Sequence, residues 1–296
     1  MSLTVFACPK PLRSSHIETI QRNAISSWLR LPGSPQVILF GDESAERLAA
    51  EVNADYSDVE VTKTGAPRLN SLFPAAEELA TGEVLAYVNA DIILMSDFAA
   101  AVRRVARMRR AFLMVGRRTD LDVVEPIDFA NGWEHQLRER AVADGLLQWH
   151  RAIDYFVYRP GFWGEVAPLA AGRASFDNWL LGRALELGAR LVDATPVVLA
   201  VHQNHDYSHI DGGLATIQSG PESTRNMELA GGYSKLTYVN DATHFLTPRL
   251  LLPAVAPRYL RQRWHRFSTT SELMRLFRHY KLGVRLKLGR LLRLSR

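Results

Sequence analysis

The chain opens on an apolar run at residues 3–8 (Leu-Thr-Val-Phe-Ala-Cys) that stops at Pro9 and Pro11, as a short buried strand would. Apolar positions then recur at helical spacing over 17–29. Pro32-Gly33-Ser34-Pro35 marks a turn, and 36–40 (Gln-Val-Ile-Leu-Phe) reads as a second strand closing at Gly41-Asp42-Glu43-Ser44. A helix over 45–52, a short strand at 59–62 and a helix over 70–80 follow, the last ended by Thr81-Gly82-Glu83. The run 84–88 (Val-Leu-Ala-Tyr-Val) is apolar throughout, the mark of a strand covered on both faces, and it ends at Asn89-Ala90-Asp91.

Further along, the pattern predicts a helix over 98–108, a strand at 111–116, a helix over 133–143 in an otherwise loop-like stretch, and a half-exposed strand at 153–158. A helix over 178–187, stopped by Gly188, leads to strands at 190–192 and 197–201. Strands alternating with helices across short polar turns imply an α/β fold with a mostly parallel sheet and a ligand site at the carboxyl ends of its strands. The candidates are then Pro9 and Lys10, Asp42 and Glu43, and Asn89 with Asp91. No Gly-rich phosphate loop follows the first strand, which disfavours a dinucleotide or a P-loop nucleotide.

Composition narrows the class. The 296 residues, 47% hydrophobic and 23% charged, suffice for one large domain or two packed halves with a sizeable core. The single cysteine, Cys8, excludes an intrachain disulfide framework and a thiolate zinc site, and points to a cytoplasmic protein. The N-terminus lacks a signal-peptide pattern, and no apolar run is long enough to span a bilayer. Charge is uneven. Residues 258–296 hold twelve Lys or Arg against Glu272 alone, a net +11, whereas residues 1–257 hold 24 basic and 30 acidic residues, a net −6. An acidic body argues against a nucleic-acid-binding fold. In the tail, Leu273, Leu276, Phe277, Tyr280, Val284, Leu288 and Leu291 recur at helical spacing among cations, the pattern of a basic amphipathic helix on an anionic membrane surface. The expected location is therefore the inner face of the membrane, held peripherally.

Several segments in order, Gly65-Ala66-Pro67-Arg68-Leu69-Asn70, Thr81-Gly82-Glu83 with the strand to Asn89-Ala90-Asp91, Ser96-Asp97-Phe98, Phe176-Asp177-Asn178-Trp179-Leu180, and the late strand reaching His202, resemble the core of family 2 glycosyltransferases with the GT-A fold. The likeness covers about residues 3–205. It implies a donor half (1–110) and an acceptor and catalytic half (111–255), to which the charge pattern adds a basic helical tail (256–296). It also implies transfer of a sugar from a nucleotide-diphosphate donor to a hydroxyl of a glycan or lipid-linked acceptor, with inversion and with Mn2+ or Mg2+. In that reading Pro9, Asp42, Arg68, Asn70, Asn89 and Asp91 face the donor, Asp42 at the base ring and Arg68 and Asn70 at ribose and diphosphate. Asp91 and His202 hold the cation, and Asp177 is the general base. A divalent cation suits this chemistry because charge grows on the diphosphate as the sugar leaves. The sequence departs from the family at Asn89, a neutral amide where the motif begins with an acid.

Three histidines, His202, His205 and His209, fall within eight residues. They open a rival reading, a metal-dependent phosphoesterase, while Asn89 opens another, a non-catalytic nucleotide-sugar-binding protein. Asp154, Trp179 and His205 are weaker candidates for the acceptor. Trp133, Trp149, Tyr155 and Trp163 are aromatic candidates for stacking on sugars, although most aromatics are core. Gly212-Gly213 and Gly231-Gly232 bracket a polar stretch with the make-up of a lid.

Overall fold

The computed structural model describes residues 1–12, 14–130, 132–205 and 213–270. One compact unit spans Met1–Pro253, and a second begins at Ala254. The first unit runs β1 (Leu3–Ala7), α1 (Ser15–Leu29), β2 (Gln36–Phe40), α2 (Glu43–Val52), β3 (Asp55–Ser57), α3 (Leu69–Leu79), β4 (Val84–Val88) and β5 (Ile92–Ile93). It continues with α4 (Ser96–Val105), β6 (Phe112–Val115), β7 (Arg118–Leu121), α5 (Trp133–Asp144), β8 (Leu146–Leu147), β9 (Tyr155–Tyr158), α6 (Phe176–Glu186), β10 (Arg190–Asp193) and β11 (Ala200–Gln203). Two helices, α7 (Gly213–Ser219) and α8 (Pro221–Leu229), and two strands, β12 (His244–Leu246) and β13 (Leu251–Pro253), complete it; α9 (Pro257–Thr270) belongs to the second unit. No helix of the described residues is long and apolar enough to cross a membrane.

Nine strands form one sheet in the order β13-β12-β10-β6-β9-β4-β1-β2-β3. The pairs from β4 through β1 and β2 to β3 are parallel, as are β6 with β10 and β10 with β12. Only β9, between β4 and β6, and the edge strand β13 run against the rest. This is the expected α/β class with a mostly parallel sheet. A smaller sheet, β5-β11-β7-β8, lies beyond the carboxyl end of β4 in sequence and carries His202.

Local chemistry explains the elements. Every residue of β1 and β4 is buried, which accounts for their unbroken apolar sequence. Ser14 caps α1 by accepting from the Ile17 amide at 3.2 Å, and the Trp28 indole of that helix donates to the Ile92 carbonyl at 2.8 Å. Phe73 of α3 sits 5.5 Å from Phe6 and 5.7 Å from Tyr158, ring centre to ring centre, tying the helix to β1 and β9. In the Thr-Gly-Glu turn, Gly82 donates to Thr4 Oγ1 at 3.0 Å, and a Cβ added there would meet the Thr4 amide nitrogen at 2.5 Å. The glycine is required by that close approach.

Four expectations need correction. The third strand is Asp55–Ser57, not 59–62, where Val61 makes only an isolated bridge to Pro67. The alternation at 153–158 does not mark a half-exposed strand: all four residues of β9 are buried, because this mid-sheet strand is covered on both faces, Tyr155 packing on Phe98 of α4 and Tyr158 on Phe73 of α3. The loop-like stretch after 117 contains β7 and β8. The late strand is Ala200–Gln203, so His202 lies inside it rather than past its end. The polar stretch between the glycine pairs is helical. Buried Asn226 of α8 donates to the Ala170 and Ala174 carbonyls at 2.9 and 3.2 Å, and Gly231 and Gly232 end that helix with positive φ. Gly212, His209 and the apolar positions of the tail from Leu273 onward lie outside the described residues.

Candidate active site

Three loops leaving strands meet at one carboxylate. Asp91, three residues past the end of β4, is buried, and its Oδ2 lies 2.5 Å from Lys10 Nζ, 3.2 Å from His205 Nε2 and 3.8 Å from His202 Nε2. Lys10 Nζ also donates to His205 Nε2 at 2.6 Å. One ligand atom from each of Asp91, His202 and His205 falls within 4.8 Å of the others. Burial alone would raise the Asp91 carboxyl, but the Lys10 ammonium and the two imidazoles outweigh it and hold the group well below the usual carboxylate range. Asp91 Oδ1 is buried and has no hydrogen-bond partner among the described residues.

The sheets fix this cluster. Strand register sets His202 beside Ile92 on one side and Asp120 on the other, bringing His202 Nδ1 to 3.1 Å from Asp120 Oδ1. Buried Gln203, the next residue, uses its backbone amide and its side-chain amide to hold the Asp91 carbonyl, each at 3.2 Å. On α1, fully buried Gln21 accepts from the Lys10 amide and donates to the Lys10 carbonyl at 2.9 Å, pinning the residue whose ammonium reaches Asp91. Such two-sided amide clamps fix a loop backbone that no ladder holds.

Beside the cluster, Arg118 bridges two acids. Its Nε donates to Asp120 Oδ1 at 2.9 Å, and its Nη1 lies 3.2 and 3.3 Å from the two oxygens of buried Asp154. The register of β4 with β9 sets Val88 against Tyr155, so Asn89 and Asp154 meet at the next position. Asn89 donates from its backbone to the Asp154 carbonyl at 2.9 Å and from Nδ2 to Asp154 Oδ1 at 2.6 Å. A carboxylate at position 89 would face another at hydrogen-bond distance, so the amide is the residue this neighbour requires.

Asp177 stands in the first turn of α6, which begins after Ser175 at φ 76°. Ser175 and not Asp177 takes the N-cap position, and Asn178 anchors the turn by donating to the Thr237 carbonyl at 2.8 Å. The Asp177 carboxyl is raised to about 7, chiefly by desolvation; the Asn178 amide opposes this, the nearby Asp154 charge adds to it, and Arg118 again opposes it. A carboxyl near 7 can take a proton at neutral pH.

The remaining expected residues are more dispersed. Asp42 is exposed and caps α2, its Oδ1 accepting from the Ser44 amide at 2.9 Å and hydroxyl at 2.5 Å. Those bonds hold its carboxyl below the ordinary value. Half-buried Arg68 precedes α3 and has no side-chain partner among the described residues, and Asn70 of that helix is exposed. Pro9 is half-buried beside Lys10, and Trp179 is half-buried on α6. Tyr155 and Trp163 are core, whereas Trp149 is 76% exposed. Of the two described histidines of the 202–209 trio, His205 and not His202 lies nearer Asp91, because β11 turns the other nitrogen of His202 toward Asp120. Asp120, Arg118, Gln21 and Gln203 escape the sequence reading. The alternation of half-buried Arg118 and Asp120 with buried Thr119 and Leu121 was the available signal for the first two.

The donor set fits a divalent cation: one carboxylate with an unpartnered oxygen and two imidazole nitrogens suit Mn2+ better than the all-oxygen preference of Mg2+. The sequence matches no protein-family model and no curated protein. Among solved structures the chain is similar to S. aureus TarS in complex with UDP-GlcNAc (14% identity, 92% of this chain and 74% of that one, TM-score 0.49). It is similar too to M. tuberculosis glucosyl-3-phosphoglycerate synthase in complex with Mg2+ and UDP (13% identity, 78% and 80%, TM-score 0.45). A third is GalNAc-T7 with UDP, GalNAc and Mn2+ (13% identity, 78% and 48%, TM-score 0.48). These are likenesses of chain path; chemistry has to come from the side chains.

Proposed function

We propose that the protein is a glycosyltransferase that moves a sugar from a nucleotide-diphosphate donor to a hydroxyl of a glycan or lipid-linked acceptor, with inversion. The observation that carries this reading is the pairing of a buried cluster, Asp91 with Lys10, His202 and His205 around it, with a separate carboxyl, Asp177, tuned to about 7. The first suits a diphosphate leaving group and the second an attacking hydroxyl. Asp91, His202 and His205 would hold a divalent ion, Mn2+ or Mg2+, which when bound offsets charge on the diphosphate. Asp177 accepts the hydroxyl proton as the acceptor oxygen bonds to the anomeric carbon and the bond from that carbon to the phosphate oxygen breaks, the electron pair leaving with the diphosphate. Desolvation keeps Asp177 in its working range, with Asp154 and Arg118 as smaller, opposing influences. Arg68 and Asn70, with Pro9, Asn89 and Asp42, line the donor side in this reading, and Trp179 meets the acceptor.

Calorimetry with UDP and GDP, each with and without Mn2+, followed by a screen of nucleotide sugars for hydrolysis, tests the reading. Binding of one nucleoside diphosphate with slow release of its sugar is expected. Cleavage of generic phosphodiesters without a sugar nucleotide would favour the phosphoesterase instead, and binding without any hydrolysis the non-catalytic protein. The Asn89 departure has its own cause in Asp154, so it does not weigh for a lost activity.

A further inference from the structure

Lys10 stands where a second cation would have to go. Its Nζ lies 2.5 Å from Asp91 Oδ2 and 2.6 Å from His205 Nε2, and those same two residues belong to the set able to hold a metal. The position is built rather than incidental, since fully buried Gln21 grips the Lys10 backbone at both its amide and its carbonyl. We propose that Lys10 is an internal cation that competes with divalent metal for Asp91 and His205 and so sets how weakly the site takes up a metal ion. This rests on the transferase reading only in treating the cluster as the diphosphate's cation site.

The physics is mutual exclusion. An ammonium and a divalent ion cannot both approach one buried carboxylate oxygen without strong repulsion in a poorly screened setting, and Oδ2 and His205 Nε2 are already spent on Lys10. What stays open is Asp91 Oδ1, buried with no partner among the described residues, and the Nε2 face of His202. A metal entering there gains Asp91 Oδ2 and His205 Nε2 as well only if Lys10 withdraws. Removing the ammonium leaves Asp91 buried with its main counter-charge gone, and such a carboxylate binds an external cation more tightly.

The test is Mn2+ binding to the full chain, read from the loss of the free-ion electron paramagnetic resonance signal, for the wild type and for Lys10→Met, Lys10→Gln and Lys10→Arg. Lys10→Met and Lys10→Gln should bind Mn2+ about ten-fold or more tightly than the wild type, and Lys10→Arg, which keeps the charge, as weakly as the wild type. Asp91→Asn should abolish the gain when added to Lys10→Gln. Should Lys10→Met not fold, Lys10→Gln, whose amide can still donate to Asp91, carries the comparison. Equal or weaker Mn2+ binding by the neutral variants overturns the proposal. UDP titrations on the same samples separate it from the transferase reading: tighter Mn2+ with no UDP bound by any form sinks that reading and leaves this one, and UDP bound with unchanged Mn2+ affinity does the reverse.

Discussion

At Asp177 one cause, desolvation, sets both a rate and a stability. If the carboxyl titrates at about 7 and works as a base, turnover rises with pH through that value, and Asp177→Asn removes turnover while leaving donor affinity nearly unchanged. The stability effect has the opposite sense. A carboxyl raised on folding binds its proton more tightly in the native state, so its favourable contribution is complete below the unfolded value near 4 and is lost as pH climbs to about 7. Urea unfolding should therefore show Asp177→Asn more stable than the wild type by about 3 kcal/mol at pH 8, with the gap closing toward pH 4. Asn89→Asp tests the neighbouring pair. A carboxylate set against Asp154 should cost about 2 kcal/mol or more in the same assay at pH 8, less in acid, and should not improve Mn2+ binding. At this scale the sequence disclosed residues that follow apolar strands, Asp91 above all, since a strand end announces itself. Asp120 and Arg118 stayed hidden because their strand is four residues long and paired with a strand more than 80 positions away.

Among elements, the Thr-Gly-Glu turn shows what a short motif encodes. Gly82 lets that turn close on β1, with the Thr81 amide donating to Gln36 Oε1 at 2.8 Å and Gly82 itself donating to Thr4. Gly82→Ala must push a Cβ against the Thr4 backbone and is expected to cost about 1–3 kcal/mol, seen as a lower urea midpoint at unchanged slope. β1, β2 and β4 were readable to within a residue because each is an apolar run bounded by turn signals. β3 and β9 were not. The first is three residues long and only partly buried, and the second owes its burial to α3 and α4 packed on its two faces, a fact of tertiary structure that local alternation does not carry.

Over the whole molecule, charge is divided as the sequence alone reveals, an acidic body and a cationic stretch from Arg258 on. If that stretch meets anionic lipid, sedimentation of the full chain with phosphatidylserine vesicles should be strong at about 10 mM salt and largely lost at about 500 mM, following the screening length. Indifference to vesicles at low salt would exclude a membrane surface as its partner. The central position of β9 also has a consequence for synthesis on the ribosome. Residues 1–105 can pair β1, β2, β3 and β4, but the free side of β4 has no neighbour until Tyr155–Tyr158 emerges, and β6 waits for the same strand. Until then the nascent chain presents a fully apolar strand with an open edge, the geometry that invites pairing with other chains. Polypeptides arrested before residue 155 should therefore be the aggregation-prone ones, and those released after it should gain protease resistance in both halves of the sheet at once.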